Sequence, residues 1–504
     1  MKKQNYQNQL TNASNQQMAD ASDDIKSDTN MFKVSDESGK KYLVKQKNER
    51  KFQKFICLIC DKLKSILSLK NSDIKEYKIY SIQDLIDIEK NSYLQDLIID
   101  YKNVKLLTRQ LFRTYSFIQQ QKNLRFLKFC LRGQITNKLQ FEDLNELILK
   151  LTKLEKLKID LTECILRQVL QSSIRAFEKQ KLDLNYKGKL QNLKIIILSF
   201  RYSNLSSSIV CYLESMMKEC PNLKILQIDF SQNNLDSSFL EDIGFKCVGL
   251  EGLEHFKVDL SETYFYSSFQ LTDKIEPFFE RIGRIKSLDI NFSKNNFNDS
   301  KIEQLCKGFQ KLVLTERLKL NLGNNEYEFN VDQIMQPILC RNLTHIELDI
   351  SHILYSSHSF SFFMKNINEL CNLRVAIYRF EAIGIDQEVH QHFGCFIGKS
   401  FQTLQELNLQ FKQNLVNYEC IEKLLEEAKK ATILRKITLN LRENQIKIKE
   451  VDSTFQGLSQ LGYLEQIDLN FEYSYLSQKE IETSKQKFQQ FFQKQLIYFL
   501  ISKI

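Results

Sequence analysis

Apolar residues recur along most of this chain in a frame of four, at positions i, i+3, i+5 and i+7. The frame fits Leu124, Leu127, Phe129 and Leu131, then Leu154, Leu157, Ile159 and Leu161. Further clear copies begin at Leu193, Leu223, Leu253, Ile285, Leu343, Leu404, Leu434 and Leu464, and weaker ones at Leu94, Thr315 and Leu373. The thirteen starts are separated by 30, 30, 39, 30, 30, 32, 30, 28, 30, 31, 30 and 30 residues, so the chain is a repeat with one insertion around residues 180–190. The alternation at i+3, i+5 and i+7 has period 2 and predicts a short strand with one buried face. Between strands the period changes. Ile302/Leu305/Cys306/Phe309 and Ile421/Leu424/Leu425/Ala428 follow the i, i+3, i+4, i+7 stripe of an amphipathic helix. A strand and a helix of this size cannot each bury an apolar face alone, so the units must stack.

Asn233, Asn295, Asn325, Asn414 and Asn444 stand at i+10, each followed at i+12 by a hydrophobic residue. The pattern resembles the leucine-rich-repeat family, and the unit length is similar to that of its ribonuclease-inhibitor-like class. The family usually places its Asn at i+8, two residues earlier than here. The resemblance covers residues 91–480. It implies an α/β horseshoe solenoid of about thirteen strand-helix coils, with a parallel concave sheet and convex helices. The asparagines are expected to bond to backbone groups of adjoining coils.

The flanks differ from the repeats. Residues 1–50 are polar and poor in large apolar groups, and are predicted to be a disordered tail. Residues 51–90 are predicted to form a basic amphipathic helix and N-terminal cap. Phe52, Ile56, Ile59, Leu63 and Ile66 form its stripe among Lys51, Lys54, Lys62 and Lys64. Residues 481–504, with Phe488, Phe491, Phe492, Leu496 and Phe499, are predicted to be a capping helix over the last coil.

Composition changes this picture little. Three Pro, 14 Gly and no Trp in 504 residues suit short repetitive connections. The net charge of +9 is local, because residues 40–70 hold ten basic side chains against Glu49 and Asp61. The twelve cysteines make no disulfide framework and fit buried thiols in a reducing, intracellular, cytoplasmic setting. Cys57 and Cys60 form a CxxC without a second pair, and no apolar run reaches the ~18 residues of a membrane span.

Chemistry-bearing motifs are missing: there is no Gly-rich phosphate loop, nucleophile elbow or kinase signature. His390 and His392 are the only close histidines, and i, i+2 on a helix face different ways. No enzyme activity, metal, cofactor or small-molecule substrate is therefore expected. The candidate surface is the strand face opposite the core, at i+4 and i+6. There Asp160, Asp229, Asp259, Asp289, Asn291, Asn321, Glu347, Asp349 and Arg379 suggest an acidic, hydrogen-bonding floor for a protein partner. An ordinary solvated face, whose side chains satisfy one another, is the plainer alternative. The basic segment 51–70 suits a solenoid cap, an acidic membrane surface or a calmodulin-like groove, with no specific nucleic acid expected. The expected function is a protein-binding scaffold or adaptor. The alternatives are a Ran-type GTPase-activating regulator, a ubiquitin-ligase substrate adaptor, or a structural subunit of a cytoskeletal or ciliary assembly.

Overall fold

The computed structural model describes residues 31–35, 41–45 and most of 76–500. The longer stretches outside that description within 76–500 are 85–93, 167–189, 264–276, 326–341, 354–366, 386–396 and 488–495. The chain divides into two compact units, Met1–Ile74 and Lys75–Ile504. In the first, β1 (Met31–Ser35) and β2 (Lys41–Lys45) pair antiparallel, within the stretch expected to be a disordered tail. The predicted helix over 51–70, with Lys51, Lys54, Lys62 and Lys64, lies outside the described residues.

The second unit is built on one fifteen-stranded sheet whose strands follow one another in chain order. Its strands are β3 (Glu76–Ile79), β4 (Asp96–Asp100), β5 (Phe126–Cys130), β6 (Lys156–Asp160), β7 (Ile195–Ser199) and β8 (Ile225–Asp229). They continue with β9 (His255–Asp259), β10 (Ser287–Asn291), β11 (Arg317–Asn321), β12 (His345–Asp349) and β13 (Val375–Arg379). The last four are β14 (Glu406–Gln410), β15 (Lys436–Asn440), β16 (Gln466–Asn470) and β17 (Leu496–Leu500). Each pair is parallel and in register, so position i+4 of one coil stands beside i+4 of the next. This is the leucine-rich-repeat solenoid, an α/β architecture with an unclosed sheet.

Two strands extend the sheet beyond the thirteen repeats expected. β3 lies twenty residues ahead of β4, and Tyr77 and Ile79 take the i+3 and i+5 places beside Leu97 and Ile99. β17 occupies part of the segment expected to be a capping helix. Ile497 and Phe499 continue the frame in register with Ile467 and Leu469, but the first position of that coil is Lys494, which hid the copy.

Within each coil the frame residues form the core. Leu223, Leu226, Ile228 and Phe230 are all buried, and so are their counterparts in the coils from β4 to β16. Aromatic residues at i+7 meet from coil to coil, Phe200 stacked on Phe230 with ring centroids 5.7 Å apart and Phe380 tilted against Phe411 at 5.6 Å. The α-helices among the described residues include α1 (Thr108–Gln120), α2 (Lys138–Lys150), α3 (Ile209–Lys218), α4 (Ser238–Cys247), α5 (Tyr418–Ala428) and α6 (Ile448–Ser459). They pack pairwise, α1 on α2, α3 on α4 and α5 on α6. Asn137 and Asn417 cap α2 and α5 by accepting from Gln140 and Cys420 N–H. The stripe Ile421, Leu424, Leu425 and Ala428 is buried on α5, as its spacing requires. Of the other predicted stripe, Leu305 is buried while Ile302, Cys306 and Phe309 lie outside the described residues.

The i+10 asparagines clasp neighbouring coils. Asn233 Nδ2 donates to the Phe200 and Phe230 carbonyls, each at 2.8 Å, while its Oδ1 accepts from Ser203 and Leu205 N–H. Asn325 repeats this with the Phe292 and Leu322 carbonyls and with Asn295 and Phe297 N–H. Just before each clasp the chain turns through the left-handed region at i+9. There Gly133 has φ of 66° and ten non-glycine residues, such as Gln232 (57°) and Ala382 (50°), take the same conformation.

Candidate functional site

The strands expose i+2, i+4 and i+6 on one face and bury i+3 and i+5, giving the same half-buried, buried alternation along the sheet. The face therefore carries three columns. The i+2 column also follows from the alternation in the sequence, yet it did not figure among the candidates. It contributes Phe126, Lys156, Ile195, Ile225, His255 and Arg317, among others.

The i+6 column ends each strand with a local turn. Asp160 Oδ1 accepts from Thr162 N–H at 3.0 Å, Asp349 Oδ1 from Ser351 N–H at 3.0 Å, and Asn291 and Asn321 from Ser293 and Gly323 N–H. Asp229 and Asp259 each take both the N–H and the hydroxyl of the serine two residues on. Their second oxygens are also engaged, Asp229 Oδ2 by the Ser199 hydroxyl and Asp259 Oδ2 by Asn291 Nδ2 at 3.1 Å. The column is thus a hydrogen-bonded ladder that fixes the chain as it leaves the sheet. Cys130, in the same column, donates to Asp160 Oδ2 at 3.5 Å. Its thiol is pushed up to about 12 by burial, with the Asp160 and Asp100 carboxylates adding to the effect.

The i+4 column is tied across strands. Lys257 pairs with Asp289 at 2.7 Å, and Glu347 sits between Lys319 at 2.7 Å and Arg379 at 2.5 Å. Burial raises the Glu347 carboxyl, but hydrogen bonds and charge from Lys319 and Arg379 outweigh it and hold the group below the usual carboxylate range. Asp289 and Glu347, which lack a basic partner in their own strands, are therefore neutralised by neighbouring strands, Asp289 from β9 and Glu347 from both β11 and β13. In the i+2 column Lys436 pairs with Glu406 at 2.9 Å. Burial, helped by Arg317 and Arg374, lowers the His345 imidazole.

Beyond the strand ends, Arg201 Nε donates to Gln232 at 2.9 Å, Gln232 to Glu262 at 2.8 Å, and Lys294 pairs with Glu262 at 2.8 Å. Arg132 pairs with Glu163 on the same rim. A hollow of about 430 Å³ opens here between Arg132, Thr162, Arg201, Tyr202, Asp229 and Gln232.

Among the described residues the cysteines Cys130, Cys164, Cys220 and Cys420 are buried free thiols, Cys211 is half-buried and Cys371 is exposed. Burial raises the Cys164 thiol to about 11 and the Cys220 and Cys420 thiols to about 12, which suits packing rather than attack. No group of three or more metal-ligating side chains occurs among the described residues. No helix among them is long and apolar enough to cross a membrane.

No protein-family model matches the chain, and no curated protein does. Among solved structures, an internalin from Listeria monocytogenes is similar at 14% identity over 78% of this chain and 77% of that one, with a TM-score of 0.33. A complex of TLR13 with ssRNA13 is similar at 13% identity over 78% of this chain and 69% of that one, with a TM-score of 0.29.

Proposed function

We propose that this protein is a non-enzymatic scaffold that holds a protein partner against the concave sheet. The observation that carries this reading is the sheet itself. From β4 to β16, parallel strands in register present their i+2, i+4 and i+6 side chains on one face. At ~4.8 Å per strand that face runs roughly 60 Å, long enough for a folded domain. Its backbone is pinned by the asparagine clasps and its side chains by the cross-strand pairs, so little freedom is lost when a partner docks. The Asp160, Asp229, Asp259 and Asp349 ladder and the Asp289, Asn291, Asn321, Glu347 and Arg379 positions all lie on this face. A cytoplasmic setting is part of the same proposal, motivated by the free thiols.

The test is affinity purification of the full chain beside two variants. One puts glutamates on the sheet (Gln227→Glu, Asn408→Glu, Thr438→Glu), and the other reverses charge on the helices (Glu146→Arg, Glu426→Arg). A partner kept by the helix variant and lost by the sheet variant is the expected result. Loss on the helix variant alone would move the binding surface to the convex side and end this reading.

A further inference from the structure

We infer that the concave face anchors its partner at one patch on β5–β8, and that the partner segment is acidic with aliphatic or aromatic anchors. The inference rests on the scaffold reading above and names the chemistry of its contact.

Three observations converge there. Lys128 and Lys158 are register neighbours on adjacent strands, so two like charges stand side by side on one face. Such a pair is destabilising in an isolated sheet. Neither lysine has a counter-ion among the described residues, in contrast to Lys257, Lys319 and Lys436, which each pair with a carboxylate on a neighbouring strand. Lys156, next to them at i+2, lies over the Phe126 ring at 5.1 Å instead of meeting an acid.

The second observation is apolar. Ile195 and Ile197 put isoleucine at both i+2 and i+4 of β7, and Ile225 is the register partner of Ile195 on β8. All three are half-buried; Val375 and Ile377 make a second apolar pair on this face at β13, but Ile377 adjoins Glu347 and Asn408 in place of a lysine. Lys156 adjoins Ile195 and Lys158 adjoins Ile197, so an apolar ledge and a cationic pair share one edge. Aliphatic side chains on the ledge with carboxylates over the lysines would match both halves at once.

The third observation separates a peptide from a nucleic acid. Asp160 and Asp229 stand at i+6 on β6 and β8, one side-chain spacing from the lysines and the ledge. A continuous phosphate backbone crossing the patch would meet these carboxylates, whereas discrete acidic side chains need only reach Lys128 and Lys158. The Phe126 face is covered by Lys156, which removes the stacking platform that single-stranded nucleic acids use.

The probe is a display library of random twelve-residue peptides selected on the full chain. Enriched peptides are expected to combine Asp or Glu with Leu, Ile or Phe. By fluorescence anisotropy they should bind at least tenfold more weakly to Lys128→Glu/Lys158→Glu and several-fold more weakly to Ile197→Ser. The neutral variant Lys128→Gln/Lys158→Gln serves as the folding control: its melting temperature should equal or exceed that of the parent while binding still falls. Enrichment of basic peptides, or no enrichment, overturns the inference. So does equal binding to the parent and the lysine variants, or displacement by an oligouridylate at equal affinity. If peptides enrich but are lost on Gln227→Glu/Asn408→Glu/Thr438→Glu and kept on the lysine variants, the patch fails while the scaffold reading survives. Peptides kept on both would count against both.

Discussion

The floor of the solenoid divides into two regions that share a backbone and differ in how their charges are balanced. From β9 to β15 the cations Lys257, Lys319, Arg379 and Lys436 each meet a carboxylate on an adjoining strand. From β5 to β8, Lys128 and Lys158 face each other without one, beside Ile195, Ile197 and Ile225. The same repeat thus produces one half whose i+4 lysines are paired, the closed half, and one whose i+4 lysines are not, the open half.

The comparison requires that the two halves be equal in backbone stability. Asn233→Ala in the open half and Asn414→Ala in the closed half should each cost on the order of 3 kcal/mol, since buried N–H and C=O groups lose their partners. Urea denaturation of the two variants would reveal any inequality, and a large one would mean that the halves differ in more than side-chain charge.

Opening the closed half is the next largest effect. Glu347→Ala leaves Lys319 and Arg379 without their shared acceptor and should cost about 1–3 kcal/mol. It should also create a second cationic spot able to take the acidic peptides enriched on β5–β8, detectable as a second binding stoichiometry. An unchanged stability curve would show that the trio contributes nothing measurable.

Acidification gives a graded version of the same change. The Glu347 carboxyl titrates lower in the folded chain than in the unfolded one, so its stabilising contribution is complete above the unfolded carboxylate value of about 4.3. That contribution is lost as pH falls through the lower folded value. The stability difference between the parent and Glu347→Gln should therefore be constant near neutrality and shrink below about pH 4. A difference that grew on acidification would contradict the assigned direction.

The smallest effect is on the open half. Lys128→Gln should raise stability by about 0.2–0.5 kcal/mol by removing one member of the like-charge pair, and 1 M salt should erase most of the gain. A loss of stability would mean that Lys128 has a compensating contact.

Much of this architecture was legible in the sequence. The frame gave strand positions, the buried face and the coil period, and the asparagines at i+10 announced the clasps seen at Asn233 and Asn325. β17 escaped because Lys494 replaces the first apolar residue of its frame. The electrostatics of the floor were harder to read for a geometric reason. Neighbouring strands are ~4.8 Å apart, whereas i and i+2 of one strand are ~6.6 Å apart, so charges pair across coils before they pair along them. Asp289 and Glu347 have no lysine in their own strands, and their partners lie about thirty residues away at Lys257, Lys319 and Arg379. The column of acids at i+6 announced itself in the sequence, but its use in closing turns shows only when Ser231 and Ser261 N–H are seen to point at Asp229 and Asp259.

The asparagine clasps also set a clock for synthesis. The amide of each i+10 asparagine completes the turn of the coil before it, as Asn295 does for Thr263 N–H and Asn325 for Asn295 N–H. A coil leaving the ribosome thus remains unfinished until the next one has been made. At ~5–20 residues per second a coil of this length takes roughly 2–6 s to appear. Wherever such an asparagine follows, the newest turn should stay unsealed until it emerges, and the order of closure among these turns should run from the N-terminal one to the last.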